Sequence, residues 1–178
     1  MAIDAHVHRF TNAEFERMAN SGVFEDLRVE LLDGLPIDVA PPREPHVRVI
    51  QRLMRLFASR IELVRIRSAL SLAEGWVPEP DVALVEHGPD PTRWPTTALL
   101  AVEVSLTTHA IDHRKAFAYA RGGVPRYWLV DLPANIVLDH TEPGPDGYAV
   151  VRRLAGDDVL DVGVDGIETT TVAELLTL

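Results

Sequence analysis

Residues 98–105 form an apolar run that only Glu103 and Ser105 interrupt. A nearly continuous apolar run of this length is typical of a strand that helices cover on both faces of a sheet. A second apolar run, residues 82–85, directly follows Asp81. The two runs predict a layered α/β fold, and each run brings an acid into surroundings that are otherwise apolar.

Helix and strand patterns surround these two runs. Thr11 and Glu14 form a capping-box pattern, which predicts a helix over 11–20. The pair Asp33-Gly34 predicts the turn of a hairpin over 28–39. Further helices are predicted over 44–58, 108–121 and 172–176, and further strands over 63–67, 76–77, 82–85, 99–105, 127–130, 136–138 and 148–151. This order predicts an α/β fold with a central mixed β-sheet flanked by helices, preceded by an N-terminal helix and hairpin.

The composition limits the kinds of site that the chain can build. Its 178 residues are typical of one domain, so we expect residues 1–178 to form a single domain, with residues 1–10 as a terminal arm. There is no cysteine, so oxygen or imidazole ligands would have to hold any metal. We see no signal-peptide pattern and no apolar run long enough to cross a membrane. We therefore expect a cytoplasmic protein without a membrane partner.

The formal net charge of -10 argues against a protein that coats nucleic acid, because such binding needs a concentrated positive surface. Seven arginines nevertheless fall within residues 43–67, and Arg48, Arg52 and Arg55 would share one face of a helix. A solvated helix face paired with acids explains that spacing as well. The cluster permits a nucleic-acid partner without indicating one.

The chain has a single lysine, Lys115, and it stands twelve positions after Glu103. An unpaired buried carboxylate is costly, so Asp81 and Glu103 must be protonated, paired or bound to a metal. On adjacent strands they could share one divalent cation, with the main-chain carbonyl of Val104 as a third ligand. Lys115 could then orient an attacking water or stabilise developing charge. A structural ion-pair cluster, or a salt bridge from Lys115 to Asp112, explains the spacing equally well.

Two other kinds of chemistry have weaker support in the sequence. His6 and His8 have the spacing of a zinc site in barrel amidohydrolases, but those barrels need about 250 residues. A terminal arm or edge strand explains this pair better. Ser105 lies near His109, yet there is no Gly-x-Ser-x-Gly elbow, no cysteine nucleophile and no phosphate-cradling glycine loop. Acyl transfer and nucleotide binding through such motifs are therefore not supported.

A set of short motifs extends in order along nearly the whole chain. The motifs are Arg9-Phe10-Thr11 with Glu14-Phe15, Val29-Glu30-Leu31-Leu32-Asp33-Gly34, His46, Pro80-Asp81-Val82, Val102-Glu103-Val104-Ser105 with Thr108, Asp112, Lys115 and Tyr119, and Gly122-Gly123-Val124-Pro125-Arg126-Tyr127-Trp128-Leu129-Val130-Asp131. On these residues the chain resembles the Uma-two family of restriction-endonuclease-like proteins, a branch of the PD-(D/E)xK nuclease superfamily. The block from residue 102 to residue 131 is the most specific part of the resemblance.

The resemblance implies a restriction-endonuclease-like core and a magnesium-dependent site, with Mn²⁺ as an alternative ion. Asp81 matches the first metal-binding aspartate of the superfamily, and Glu103 matches its second acid. The usual lysine two positions after that acid is replaced by Ser105, and Lys115 matches the family's lysine on the following helix. Glu30 matches a family acid near the site.

Three further positions bear on the resemblance. His46 matches a family histidine, and either a core role or a supporting role in the site fits it. Leu35 stands where the family often has an acid after Asp-Gly, and Leu106 stands where a proline often follows the serine. Neither departure involves the two acids or the lysine.

The leading functional hypothesis is a magnesium-dependent endonuclease that hydrolyses DNA through Asp81, Glu103 and Lys115, supported by Glu30. A homodimer would suit paired cuts by such a fold. The rival hypothesis is a non-catalytic binding or assembly module that keeps the nuclease fold, which the acidic net charge favours. A third hypothesis is an enzyme that acts on another phosphodiester.

Overall fold

The structure is a computed structural model that describes residues 6–86, 88, 90–106 and 109–177. Within 109–113 it describes the side chain of Ile111 alone. The predicted helix start at Thr108, the suggested salt-bridge partner Asp112 and the side chain of His109 therefore lie outside what is described, as does the first half of the predicted arm.

Helices form close to where their sequence patterns begin and end. The helices are α1 (Asn12–Asn20), α2 (Glu44–Leu56), α3 (His109–Arg121) and α4 (Val172–Leu176). A complete capping box opens α1 at Thr11, as the sequence predicts, and another opens α4 at Thr171. Gly123, at φ 71°, follows the end of α3. The predicted helix over 44–58 ends earlier, because a 3-10 turn over Ala58–Leu63 follows α2.

Eleven strands are present in the described residues, and six of them form one mixed sheet. The strands are β1 (Val29–Leu32), β2 (Leu35–Asp38), β3 (Val64–Ile66), β4 (Trp76–Val77), β5 (Val82–Leu84), β6 (Leu100–Ser105), β7 (Arg126–Asp131), β8 (Ile136–Gly144), β9 (Gly147–Ala155), β10 (Val159–Leu160) and β11 (Thr170–Thr171). The central sheet has the order β3-β5-β6-β7-β8-β9, in which β6 and β7 are parallel and every other pair is antiparallel. The predicted mixed sheet flanked by helices is confirmed.

The remaining strands form two small sheets. The predicted hairpin forms from β1 and β2, and β4 pairs with the other edge of β1. Its turn has positive φ at Asp33 (55°) and Gly34 (72°), the geometry for which Asp-Gly is suited. Strands β10 and β11 pair with each other. They were not predicted, because two-residue strands leave no alternation to detect.

The hairpin of β8 and β9 is longer than the sequence predicts. Residues 136–138 and 148–151 were predicted as short strands, whereas β8 and β9 each have nine residues and pair up to Gly144 and Gly147. Polar residues occupy many of the added positions, and no residue of the outer strand β9 is fully buried. An antiparallel strand with one solvent-exposed face tolerates polar residues.

Helices cover both faces of the central sheet. Val102 of β6 belongs to an apolar cluster that includes residues of α2 and α4. Ala101 belongs to a second cluster, which includes Tyr119 of α3 and Leu32 of β1. Because successive residues of a strand point to opposite faces, Glu103 lies on the same face as Ala101, towards α3 and the hairpin. None of the helices in the described ranges is long and apolar enough to span a membrane.

Candidate active site

Asp81 and Glu103 lie on adjacent strands of the central sheet. Val82 is paired with Val102 in the antiparallel register of β5 and β6, so Asp81, one residue before β5, lies opposite Glu103. Directly opposite residues of an antiparallel pair point to the same face. Both acids are buried, at 8% and 5% exposure. The pairing of β5 with β6 therefore places two carboxyl groups side by side at the start of β5.

Lys115 reaches this face of the sheet from α3. Its Nζ lies 3.0 Å from Oε1 of Glu103, and 2.9 Å and 2.8 Å from Oε1 and Oε2 of Glu30 on β1. All three side chains are buried. The only lysine thus donates to two carboxylates from different elements, and the expectation that it leans towards the sheet agrees with the structure.

Burial and charge together set the protonation of this cluster. Burial raises the pKa of Glu103, Lys115 opposes this, and Asp81 and Glu30 add to it. The net result is a pKa of about 8. Burial lowers the pKa of Lys115, but Glu103 and Glu30 outweigh that effect and leave the pKa raised. Lys115 is therefore an ammonium, and it faces a Glu103 side chain that a pKa of about 8 keeps largely protonated at neutral pH. A proton or a cation at Glu103 would relieve the excess negative charge.

Tyr119 contributes a second donor to Glu103. Its hydroxyl lies 2.7 Å from Oε1, the same oxygen that Lys115 contacts. Burial and the charge of Glu103 raise the pKa of Tyr119, so the phenol keeps its proton and donates. Two donors on Oε1 fix the orientation of this carboxylate and leave Oε2 as the oxygen for another partner.

Asp81 is fixed in a similar way by His46 and the backbone. His46 Nε2 lies 2.7 Å from Oδ2 of Asp81, and the amide of Val104 donates to the same oxygen at 2.9 Å. Arg67 Nη2 lies 3.4 Å from the other ring nitrogen, Nδ1. Arginine can only donate, so we assign Nδ1 as the acceptor and Nε2 as the protonated nitrogen that donates to Asp81. His46 is thus a side chain that orients Asp81.

Six of these side chains line one open cleft of about 280 Å³, namely Glu30, His46, Arg67, Asp81, Glu103 and Lys115. Its wall also includes the proline-containing segment 39–43 after the hairpin, and residues Leu106 and Ile111. Three arginines line it, namely Arg28, Arg43 and Arg67. An acid cluster that is buried yet lines a cleft is typical of a functional site, although structural ion pairs also perturb pKa values.

The site has some of the ligands that a magnesium ion requires. In the described ranges, no group of three or more acidic or histidine side chains is close enough to hold a metal by side chains alone. Asp81 and Glu103 each have one carboxyl oxygen that none of the donors just described contacts. The amide of Val104 points towards Asp81, and in an extended strand the carbonyl of the same residue points to that side as well. Two carboxylates, one carbonyl and water suit Mg²⁺, which keeps several waters in proteins. The donor set fits, with Glu30 holding Lys115.

Other candidates from the sequence lie elsewhere. His6 and His8 are exposed and do not line the cleft. On α2, Arg48 pairs with Glu44 at 3.1 Å, and Arg52 donates to the Leu175 carbonyl at 3.0 Å. Arg48 is thus paired with an acid, as the solvated-face interpretation expects, whereas Arg52 contacts the backbone before α4 ends.

Sequence reasoning missed two features of the site. Nothing in the pattern of residues 63–67 singles out Arg67, whose φ of 45° is unusual for a residue other than glycine. Glu79, whose pKa is raised by burial, pairs with Arg28 at 3.3 Å beside the cleft. The contact of Arg67 with His46 and that of Glu79 with Arg28 each join segments far apart in the chain, so no local motif indicates them.

Comparisons with known proteins identify the family and the fold. A family model described as "Uma2: Putative restriction endonuclease" matches residues 13–173. A crystal structure titled as a putative nuclease belonging to DUF820 from Anabaena variabilis ATCC 29413 is similar with a TM-score of 0.76 and 12% sequence identity. The similarity covers 94% of this chain and 98% of that chain, and it shows a shared fold. No curated protein matches the chain.

Proposed function

The chain belongs to the Uma2 family, described as "Putative restriction endonuclease", and from this premise we propose that it is a magnesium-dependent endonuclease that hydrolyses DNA. The family and the nuclease-like fold support a nuclease role. The finer proposal concerns the ion, the substrate and the residues. Asp81, Glu103 and Lys115 form the catalytic centre, and Glu30 supports it.

One observation carries the proposal. The only lysine of the chain is buried against Glu103 and Glu30, and all three side chains line an open cleft that Asp81 also lines. Burying charges costs free energy even when they are paired, and well-packed apolar residues often stabilise a fold as well. Such a cluster beside an accessible cleft is better explained by chemistry than by stability.

Magnesium would be held by Asp81, Glu103 and the carbonyl of Val104, and Mn²⁺ could take its place. When bound, the ion supplies a Lewis acid that polarises a phosphoryl oxygen. His46 orients the Asp81 carboxylate, and Tyr119 orients that of Glu103. Holding the ligands in place in advance avoids reorganising them during the reaction.

Lys115 acts through its charge in this proposal. Its raised pKa keeps the ammonium protonated, so it does not serve as the base that takes a proton from water. It instead orients the attacking water or stabilises the negative charge that builds on the phosphate. Glu30, with both oxygens on Nζ, holds the ammonium in position.

The direct test is cleavage of supercoiled plasmid by the purified protein with Mg²⁺ or Mn²⁺, followed by calorimetry of Mg²⁺ binding. We expect Asp81→Ala and Glu103→Ala to lose Mg²⁺ binding and cleavage, and Lys115→Ala to bind Mg²⁺ but not cleave. Arg48→Ala, on the exposed face of α2, is the matched control and should behave as wild type.

The results separate the proposal from its rivals. Unchanged Mg²⁺ binding in both acid variants would rule out the metal site, and full activity of Lys115→Ala would rule out the role of the lysine.

The net charge of -10 favours the alternative of a non-catalytic nuclease-fold module, since it repels a polyanion. That alternative predicts no cleavage of any nucleic acid. Binding of Mg²⁺ without cleavage of DNA would instead point to another phosphodiester. Linear products of paired cuts would support action as a homodimer.

A further inference from the structure

Arg67 places a guanidinium in the wall of the cleft, next to Asp81. The side chain is 24% exposed, and its Nε lies 3.8 Å from Oδ1 of Asp81. Its Nη2 lies 3.4 Å from Nδ1 of His46. Arg67 therefore borders the carboxylate proposed to hold the metal.

The backbone holds Arg67 in an unfavourable conformation. Its φ of 45° is in the left-handed region, which is unfavourable for a residue with a Cβ. The amide of Arg67 donates to the carbonyls of Pro80 and Asp81, at 3.1 Å and 3.4 Å. The strained residue is thus tied to the segment that carries Asp81. Strained backbone retained at a cleft is a reason to look for a function.

The guanidinium has donor capacity that its protein neighbours leave unused. Nε is buried and makes no hydrogen bond to any part of the chain that the structure describes, because 3.8 Å to Asp81 is too long for one. By comparison, Arg152 bonds Asp139 at 2.6 Å. A side chain kept only for an ion pair with Asp81 would approach it more closely.

The arginines that line the cleft favour a phosphate as the ligand. The planar fork of arginine matches a carboxylate or a phosphate with two parallel hydrogen bonds. Arg28 and Arg43 line the same cleft, so three arginines border it in a chain whose net charge is -10. Several arginines that border one open cleft suit a chain of phosphodiesters better than a single small anion.

We propose that Arg67 binds a phosphodiester group of the nucleic-acid substrate, adjacent to Asp81. The inference rests on the proposed function, since it assigns a substrate contact in the same site. Arg67 then has two effects: it positions the strand across the cleft, and it offsets the repulsion between the phosphate and the carboxylates.

The test is binding of a labelled double-stranded oligonucleotide in metal-free buffer, measured by fluorescence anisotropy over a series of salt concentrations. Arg67→Asn removes the guanidinium and introduces a residue that tolerates the left-handed region. Arg67→Lys keeps the charge and removes the fork. Arg48→Asn is the control, because Arg48 is an exposed arginine outside the cleft.

We expect Arg67→Asn to weaken binding about tenfold and to reduce the slope of log affinity against log salt by about one phosphate contact. Arg67→Lys should keep the slope and lose part of the affinity. Mg²⁺ binding by calorimetry should fall by less than about tenfold in both variants, below the loss typical of removing a residue that hydrogen-bonds a ligand, because Arg67 makes no hydrogen bond to Asp81.

The outcomes distinguish the two levels of the argument. Wild-type affinity and slope in both Arg67 variants would overturn this inference and leave the nuclease proposal standing. A wild-type protein that binds no oligonucleotide even at low salt would overturn the nucleic-acid substrate, and the inference with it. If Arg67→Asn does not fold by circular dichroism, Arg67→Lys alone decides, and full wild-type affinity there counts against the fork.

Discussion

Replacing Lys115 with methionine tests how the buried cluster contributes to stability. Methionine has a similar length and removes only the ammonium. In the native protein Nζ lies 2.8 Å from Glu30 and 3.0 Å from Glu103, and the lysine side chain is 7% exposed. Lys115→Met therefore leaves two buried carboxylates without their cation.

The expected loss is large for a single substitution. Removing one partner of a buried ion pair costs about 3–5 kcal/mol, because the remaining charge is uncompensated. Glu103 lowers that cost, because its pKa of about 8 already keeps it largely protonated at pH 7, and Glu30 is then the main uncompensated charge. We therefore expect the lower end, about 3 kcal/mol. With a urea dependence of about 2–3 kcal/mol/M, the unfolding midpoint should fall by about 1–1.5 M.

A second substitution should restore part of the loss. In Glu30→Gln/Lys115→Met the lysine is still missing, but one of the two unpaired carboxylates has become a neutral amide. The double variant should therefore be more stable than Lys115→Met by about 1–2 kcal/mol. Such non-additivity is expected only of residues that interact directly.

The assay is urea unfolding at pH 7 followed by tryptophan fluorescence. Arg48→Met is the control, because it breaks an exposed ion pair on α2 with side chains 52% and 72% exposed. It should change the free energy of unfolding by less than about 0.5 kcal/mol. If Lys115→Met lies within about 1 kcal/mol of wild type, or if the double variant is the less stable of the two, the reasoning about the buried charges is wrong.

Two further predictions concern the partner of Asp81 and the hairpin turn. His46→Ala should weaken Mg²⁺ binding about 10–100-fold by calorimetry, because Asp81 loses the donor that orients it, whereas His46→Gln, which still offers an N–H, should recover much of it; equal losses in both variants would refute the orienting role. Gly34→Ala should destabilise the fold by about 1–3 kcal/mol in urea unfolding, because φ is 72° there and a Cβ would lie 2.6 Å from the Cβ of Arg9. Wild-type stability would show that Arg9 moves aside at little cost.

Much of the fold was predictable because its signals are local. The capping box at Thr11 and the Asp33-Gly34 turn depend on contacts within a few residues, and the apolar run around Glu103 shows by its composition that the strand is covered on both faces. Other boundaries were not predictable. The 3-10 turn after α2 and the full length of β8 and β9 follow from packing and pairing with distant segments, which periodicity does not encode.

The sequence by itself determined which residues could carry chemistry: two acids in apolar strands and one lysine on the next helix. Only the tertiary structure decided their partners. Glu30 is 85 positions from Lys115, and His46 is 35 positions from Asp81. These contacts depend on how the hairpin and α2 pack against the central sheet. A residue pattern reports which face of an element is buried, and the distances between elements arise only when those faces pack together.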